Sequence, residues 1–160
     1  GSACRTPVLA DYPRSSRRSR ELSRVSPTML EREIIQQRGF GNVGEPTPIG
    51  FQVAVRCPYY RGIWASLLED VEVTVDGERH GPSEIRWTLG GVTYDSERLF
   101  ATADVRWPYD EPALLTVTRP GGLAPGLYEV GVSVTWRWSY IPVEMQPTTC
   151  RTRRALVLVR

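Results

Sequence analysis

Few side chains in this sequence could perform acid–base, nucleophilic or metal chemistry. The 160 residues include one histidine, His80, and three cysteines that form no C-x-x-C pair. A nucleophile would therefore lack its usual histidine base, and closely spaced zinc ligands are missing. Asp70 and Glu72 share the strand face opposite a valine stripe, so they do not form the facing carboxylate pair of a glycosidase. We expect no catalytic residue, no metal site and no cofactor in this chain.

Three proline-containing segments concentrate the residue types that anchor protein interfaces: 58–64 (PYYRGIW), 107–112 (WPYDEP) and 139–142 (SYIP). Proline restricts the backbone, while Tyr, Trp and Arg offer large contact areas at low entropic cost. The same aromatic side chains could instead close the end of a β-sandwich, so both interpretations stay open. The candidate residues for contact with a partner or a ligand pocket are Tyr59, Tyr60, Arg61, Trp107, Tyr109 and Tyr140.

The elements that must position these segments are β-strands. Apolar residues alternate with polar ones in 49–57, 71–75 and 130–140, which is typical of half-buried strands. The strand over 130–140 places Trp136, Trp138 and Tyr140 on one face. Asp-Gly and Gly-Gly pairs at 76–77 and 90–91 predict hairpin turns. About eight short strands indicate an all-β fold, an antiparallel β-sandwich or jelly roll.

Two segments depart from simple alternation. The C-terminal run ALVLV (155–159) predicts a last strand that is covered on both faces, over 151–159. Residues 95–101 are the only stretch that favours a helical turn. We therefore expect almost no helix in the folded part of the chain.

Composition divides the chain near Met29. Residues 1–28 are rich in Arg, Ser and Pro, with six arginines against two acids, and we expect a disordered extension. Gly1-Ser2 is typical of the remnant of a cleaved purification tag. Residues 29–160 are expected to form a single β-sandwich domain.

Charge and hydropathy exclude several classes of partner. All 20 basic residues are Arg, and 18 acidic residues oppose them, leaving a net charge of +2. Residues 29–160 offer no basic face for nucleic acid, and no apolar run reaches the ~20 residues that a membrane helix needs. An odd number of cysteines without an apolar leader predicts free thiols in a reducing, cytoplasmic compartment.

The segments RCPYYRG (56–62), LLEDVEVTVDGE (67–78), DVRWPYDEPALLTVTRPGGLAPGLYEV (104–130) and WSYIP (138–142) occur in this order. Together they resemble the β subunit of bacterial C-glycoside deglycosidases, over about 29–160. The resemblance implies a small sandwich that binds a larger α subunit and helps to form or shield its pocket. It supplies no catalytic residue that could be carried onto this chain.

The resemblance also implies the reaction of the complex. These enzymes cleave the carbon–carbon bond between a 3-oxo sugar and an aromatic aglycone by β-elimination. The α subunit resembles a sugar-phosphate isomerase TIM barrel and holds a divalent metal, typically manganese, together with the general base. The 3-oxo-C-glycoside is then expected at or near the subunit interface. The alternative hypothesis is a stand-alone module that binds carbohydrate or an aromatic ligand on a platform of Tyr59, Tyr60 and Trp107.

Overall fold

The computed structural model describes residues 33–138 and 147–159, which fold into antiparallel β-sheets around a common core. One short α-helix, α1 (Ser96–Phe100), lies where a helical turn was predicted, whereas two 3-10 helical turns, Ala65–Leu67 and Pro82–Glu84, were not predicted. The strands are β1 (Ile35–Val43), β2 (Gly50–Val55), β3 (Ile63–Trp64), β4 (Leu68–Val75), β5 (Glu78–His80), β6 (Ile85–Leu89), β7 (Val92–Asp95), β8 (Arg106–Trp107), β9 (Ala113–Thr118), β10 (Gly126–Trp136) and β11 (Thr148–Leu158).

Two sheets make up the sandwich. A five-stranded sheet has the order β1-β2-β9-β6-β7, and a four-stranded sheet has the order β11-β10-β4-β5. The third sheet is the two-residue pair of β3 with β8. Every strand pairing is antiparallel, which confirms the predicted all-β class.

The core follows from the alternation of side chains along the strands. In β4, Val71, Val73 and Val75 are buried while the residues between them face outward, and β10 repeats this pattern opposite. Large aromatic side chains complete the core, among them Trp87 and Trp107, which are fully buried. Burial of each large apolar side chain contributes about 1.5–3 kcal/mol to the free energy of unfolding.

Both predicted hairpin turns are present. Asp76 and Gly77 have positive φ angles of 48° and 88° between β4 and β5. Gly90 and Gly91 take φ angles of 58° and 81° between β6 and β7. Positive φ at both central positions is the backbone that a two-residue turn needs to match the twist of its strands.

The structure corrects two expectations about strands. It contains eleven strands in its described residues instead of about eight, because β3, β5 and β8 are only two or three residues long. The C-terminal strand was expected to be covered on both faces, and this was wrong. Leu156 and Leu158 are buried, whereas Val157 and Val159 are exposed, so the run alternates like the other strands.

The cysteines also differ from expectation. Cys57 is a free, buried thiol, as predicted, but Cys150 is disulfide-bonded. The free thiol from which a reducing compartment was predicted is therefore present at Cys57 but not at Cys150. Within 33–138 and 147–159, no helix is long and apolar enough to cross a membrane. The predicted disordered extension, 1–28, lies outside the described residues.

Two side chains join the edges of the two sheets: Arg154 of β11 donates to the carbonyl of Ile35 at 2.7 Å, and Gln37 bonds to β11. The amide group of Gln37 in β1 donates to the carbonyl of Val157 at 2.8 Å and accepts from its N–H at 3.0 Å. This pair of hydrogen bonds reproduces a backbone ladder between β1 and β11. The open edge of β11 is thereby satisfied at that point.

Candidate functional site

The short pair β3–β8 lies beside the end of the four-stranded sheet, where β10 ends and β4 begins. Its register places Ile63 opposite Trp107 and Trp64 opposite Arg106. Because side chains alternate along a strand, Ile63 and Trp107 enter the core while Trp64 and Arg106 face outward. Arg106 lies over the Trp64 ring, with its guanidinium carbon 5.6 Å from the ring centroid. Trp64 nevertheless keeps 46% of its surface exposed.

A tight turn leads into β3. The N–H of Gly62 donates to the carbonyl of Tyr59 at 2.8 Å, and Gly62 has a φ angle of +76°. A Cβ at this position would lie 2.8 Å from the Trp107 carbonyl and 3.0 Å from Nε of Arg106. Only glycine therefore lets the turn approach β8 so closely.

This turn sends its two tyrosines in different directions. Tyr59 is 8% exposed and meets Trp138 edge-on, with ring centroids 4.4 Å apart. Tyr60 is 62% exposed, and the Arg61 guanidinium lies 5.4 Å from its ring centroid. The surface thus carries a second exposed pairing of an aromatic ring with an arginine.

Between these groups lies a half-open cleft of about 200 Å³. Four aromatic residues and three arginines line it together with Gly62, Ile63 and Leu67, and the area it exposes is mainly apolar. Its charged rim includes Arg137, whose Nε lies 3.5 Å from the carboxylate of Glu69. We call this feature the aromatic cleft; its aromatic and arginine lining residues are Tyr59, Arg61, Trp64, Arg106, Trp136, Arg137 and Trp138.

The indole N–H groups near the aromatic cleft differ in their hydrogen bonding. Trp138 donates to the hydroxyl of Thr148 at 2.6 Å, and the core residue Trp87 donates to Ser96 at 3.1 Å. Trp107 and Trp136 are buried, and no acceptor for their Nε1 atoms occurs in the described part of the chain. Buried tryptophans usually find an acceptor, so these two donors are unusual.

The aromatic cleft contains no acid–base pair or nucleophile that the structure describes. Cys57 is buried behind the turn, its thiol donates to the Tyr59 carbonyl at 3.4 Å, and desolvation raises its pKa to about 12. A thiol with such a pKa is not a nucleophile at neutral pH. Across 33–138 and 147–159, no group of three or more His, Cys, Asp or Glu side chains could hold a metal ion.

The single histidine lies elsewhere. His80 is buried on β5 between two carboxylates, with Nε2 2.9 Å from Glu78 and Nδ1 3.0 Å from Glu84. Its ring meets Phe51 edge-on at 5.8 Å. Glu72, one of the two carboxylates weighed for a glycosidase pair, forms an ion pair with Arg79 at 2.8 Å.

The structure brings together only part of the predicted contact set. Tyr59 and Arg61 line the aromatic cleft, and Tyr60 lies beside it. Trp107 is fully buried beneath the surface and Tyr109 is half-buried in the loop after β8. Tyr140 falls outside the described residues. The contact role of all six stays a prediction.

Burial also bears on the alternative of a stacking platform. Of the three proposed platform residues, Tyr59 and Trp107 are buried and only Tyr60 offers an exposed ring. The exposed ring that sequence reasoning did not select is Trp64. Its exposure follows from alternation with Ile63, but a pattern of only two residues is too short to predict which side chain faces outward. Arg106 was missed for the same reason.

Comparison with known proteins gives consistent matches. Residues 30–140 match the family model described as C-glycoside deglycosidase beta subunit. The chain is 34% identical over 119 residues to a C-glycoside deglycosidase beta subunit of Eubacterium cellulosolvens, covering 73% of this chain and 81% of that protein. It is 33% identical over 100 residues to a 3'-dehydrocarminate deglycosidase beta subunit of a Microbacterium species, covering 61% and 74%.

Proposed function

Because the chain belongs to the C-glycoside deglycosidase beta-subunit family, we propose that it is the non-catalytic subunit of a heteromeric enzyme. The complex would cleave the carbon–carbon glycosidic bond of 3-oxo-C-glycosides by β-elimination. The absence of an acid–base pair or metal-binding group from the described residues supports a subunit that supplies shape. Proton transfer then belongs to another chain.

The chemistry of the substrate defines the reactive groups that the complex would need. A ketone at C3 of the sugar acidifies the proton at C2, and a base can remove that proton. The electron pair left at C2 forms a double bond to C1 while the bond from C1 to the aglycone breaks. The aglycone leaves with the electrons of that bond and takes up a proton, and an unsaturated sugar remains. We propose that the base and a divalent metal, Mn²⁺, belong to a larger α subunit that resembles a sugar-phosphate isomerase TIM barrel. When bound there, the metal would supply Lewis-acid stabilisation of the enolate oxygen.

The observation that carries this proposal for the present chain is the exposed aromatic–arginine surface. Trp64 with Arg106 and Tyr60 with Arg61 form two such pairs at one end of the sandwich. Trp, Tyr and Arg are the residues in which binding energy concentrates at protein interfaces. Because the indole and phenol are already held by neighbouring groups, little side-chain entropy remains to be lost on docking. We propose that this end contacts the α subunit near the mouth of its active site.

Co-expression with a candidate α subunit, sought among the neighbouring reading frames of the host, tests the proposal. The complex should copurify and release the aglycone from a 3-oxo-C-glucoside when Mn²⁺ is added, whereas each subunit alone should be far less active. The double variant Tyr60→Ala/Trp64→Ala should weaken the complex at least about tenfold, a loss of ~1.4 kcal/mol or more. Leu127→Ala, which removes an exposed apolar side chain elsewhere, should leave it unchanged. An α subunit that is fully active without this chain would contradict the proposal.

The proposed location of the complex is the cytoplasm. The free thiol of Cys57 fits a reducing compartment, whereas the disulfide at Cys150 counts against one. Fractionation of the native host, followed by detection of this chain, decides between the two.

A further inference from the structure

The volume of the aromatic cleft limits what it can hold. Sites that enclose a whole small molecule usually measure about 300–1,000 Å³, and this cleft measures about 200 Å³. It is also half open rather than sealed. An occupant would therefore place one or two rings inside it and leave the remainder of its structure outside.

The walls of the cleft favour an aromatic occupant. Trp64 contributes an exposed ring to the lining, and the buried Trp136 and Trp138 lie beside it. Offset or edge-on packing of another ring against an exposed indole is favourable. A sugar would leave most of its hydroxyl groups without partners there, because the exposed lining is mainly apolar. Unpaired polar groups are costly in such surroundings. The cleft thus selects against the sugar portion of a glycoside.

The charge at the rim of the cleft favours oxygen atoms on that aromatic occupant. The guanidinium of Arg106 lies over Trp64 and has no carboxylate partner among the described residues. An aliphatic group would suit the apolar lining but would leave this charge without a partner. A lone carboxylate would pair with the charge but would leave the apolar lining uncovered.

We infer that the aromatic cleft binds a planar aromatic ring system that carries acidic or carbonyl oxygens. Trp64 supplies the outer stacking wall, and Arg106 supplies positive charge. The inference rests on the proposed function only where it identifies this ring system with the aglycone side of the substrate. The β subunit then helps to select the aglycone, while the sugar reacts in the partner.

Calorimetric titration of the full chain with 6-hydroxy-2-naphthoate tests the inference, because this probe combines two flat rings with two oxygen functions. We expect saturable binding, with no binding of glucose or cyclohexanecarboxylate. Trp64→Ala should weaken binding about tenfold and Trp64→Phe should restore much of it. Arg106→Gln should weaken binding of the naphthoate more than binding of neutral 2-naphthol, because only the former is attracted by the lost charge.

The matched control is Arg86→Gln, which removes an exposed arginine that pairs with Asp95 on the five-stranded sheet. Its affinity for the probe should equal that of the unmodified chain. Equal losses in Arg86→Gln and Arg106→Gln, or no saturable binding at all, would overturn the inference. If the assembled complex no longer binds the probe, a segment of the α subunit fills the cleft, and the inference is equally wrong.

Failure of this inference is distinguishable from failure of the proposed function. If the chain forms an active complex with the α subunit but binds no aromatic probe, alone or in the complex, only the inference about the cleft is wrong. If the chain binds the probe but neither assembles with the α subunit nor activates it, the proposed function is wrong and the inference about the cleft stands.

Discussion

Two surfaces of this molecule use arginine in opposite ways. On the outer face of the four-stranded sheet, Arg79 pairs with Glu72 at 2.8 Å, and Arg153 lies 3.9 Å from Glu129. These side chains border a broad, polar trough of about 850 Å³. At the aromatic cleft, by contrast, Arg106 and Arg61 lie over exposed rings. All 20 basic residues are Arg, so environment, not residue type, separates the two surfaces.

The difference indicates which surface can bind. An exposed guanidinium paired with a carboxylate has its charge neutralised and contributes at most about 1 kcal/mol to stability. A guanidinium that stacks on an indole keeps its charge and outward-facing donors while its orientation is fixed. Apolar area lies beside it at the cleft, whereas most residues that line the trough are charged or polar. This difference is the reason for which we propose that recognition takes place at the cleft.

The largest expected effect tests whether the aromatic cleft depends on the core beneath it. Trp107 is fully buried and meets Trp87 edge-on, with ring centroids 5.2 Å apart. Trp107→Ala should lower the free energy of unfolding by about 3–5 kcal/mol, since it leaves a large cavity. Trp64→Ala, at the exposed position, should cost less than about 1 kcal/mol. Urea unfolding measures both; equal losses would show that cleft and core are not distinct.

The second prediction concerns the floor of the trough. A Cβ on Gly131 would lie 2.4 Å from the hydroxyl oxygen of Thr74 on β4. Gly131→Ala should therefore cost about 1 kcal/mol through overpacking, without affecting the complex or probe binding. In a Thr74→Ala background the same change should be neutral or stabilising, because alanine suits a strand better than glycine. A double-mutant cycle in urea measures the coupling. An equal cost in both backgrounds contradicts the geometry.

The contrast between the two surfaces also shows what sequence could predict. Alternation over long strands predicted the inward faces of β4 and β10 and the burial of Trp136 and Trp138, because each face repeats several times. The cleft depends on β3 and β8, which are two residues long and far apart in the chain. Two residues give no measurable period, and their pairing is non-local. Trp64 and Arg106 could be recognised as neighbours only from the structure.

Composition misled in the last strand for a related reason. The continuous apolar run at 155–159 suggested burial on both faces, but the four-stranded sheet meets the core through one face only, so β11 buries Leu156 and Leu158 and exposes Val157. Whether the outer face of a sheet is covered is a tertiary property that a run of apolar residues does not encode. The aromatic segments were informative about which part of the chain forms the cleft. They were less informative about which rings face outward.

The third prediction uses the thiol beneath the cleft. Burial raises the pKa of Cys57 to about 12 from its ordinary value of 9.0, so between these values the unfolded chain loses a proton that the folded chain keeps. Stability from this thiol is complete below pH 9 and is lost as pH rises toward 12. Near pH 10 the loss should be about 1.4 kcal/mol. The free energy of unfolding, measured near pH 8 and near pH 10 for the native chain and for Cys57→Ala, isolates this contribution. If the free energy of unfolding changed equally with pH in both proteins, the raised pKa would be contradicted.

The smallest expected effect belongs to the edge of the four-stranded sheet. Glu78 accepts a hydrogen bond from Nε of Arg119 at 2.8 Å, and this contact chiefly lowers its pKa below the ordinary 4.5. The resulting stability is present above pH 4.5 and is lost as pH falls through the lowered pKa. Glu78→Gln should thus reduce the melting temperature slightly near neutral pH and less near pH 3, because the carboxyl is solvated and its pair is screened.

Salt sharpens this last test, because charges in solvent are screened and stacked rings are not. Raising salt to about 1 M should shrink the difference in melting temperature between the native chain and Glu78→Gln. The contact of His80 with Glu84, which lies 3.0 Å away, is retained in both proteins and does not enter the comparison. At the same salt concentration, proteins that retain Trp64 should still bind the naphthoate probe. Their affinity should fall only by the part that depends on the charge of Arg106. If high salt abolished both the difference in melting temperature and the binding of the probe, the cleft would bind through ion pairing alone. The distinction between the two surfaces would then be wrong.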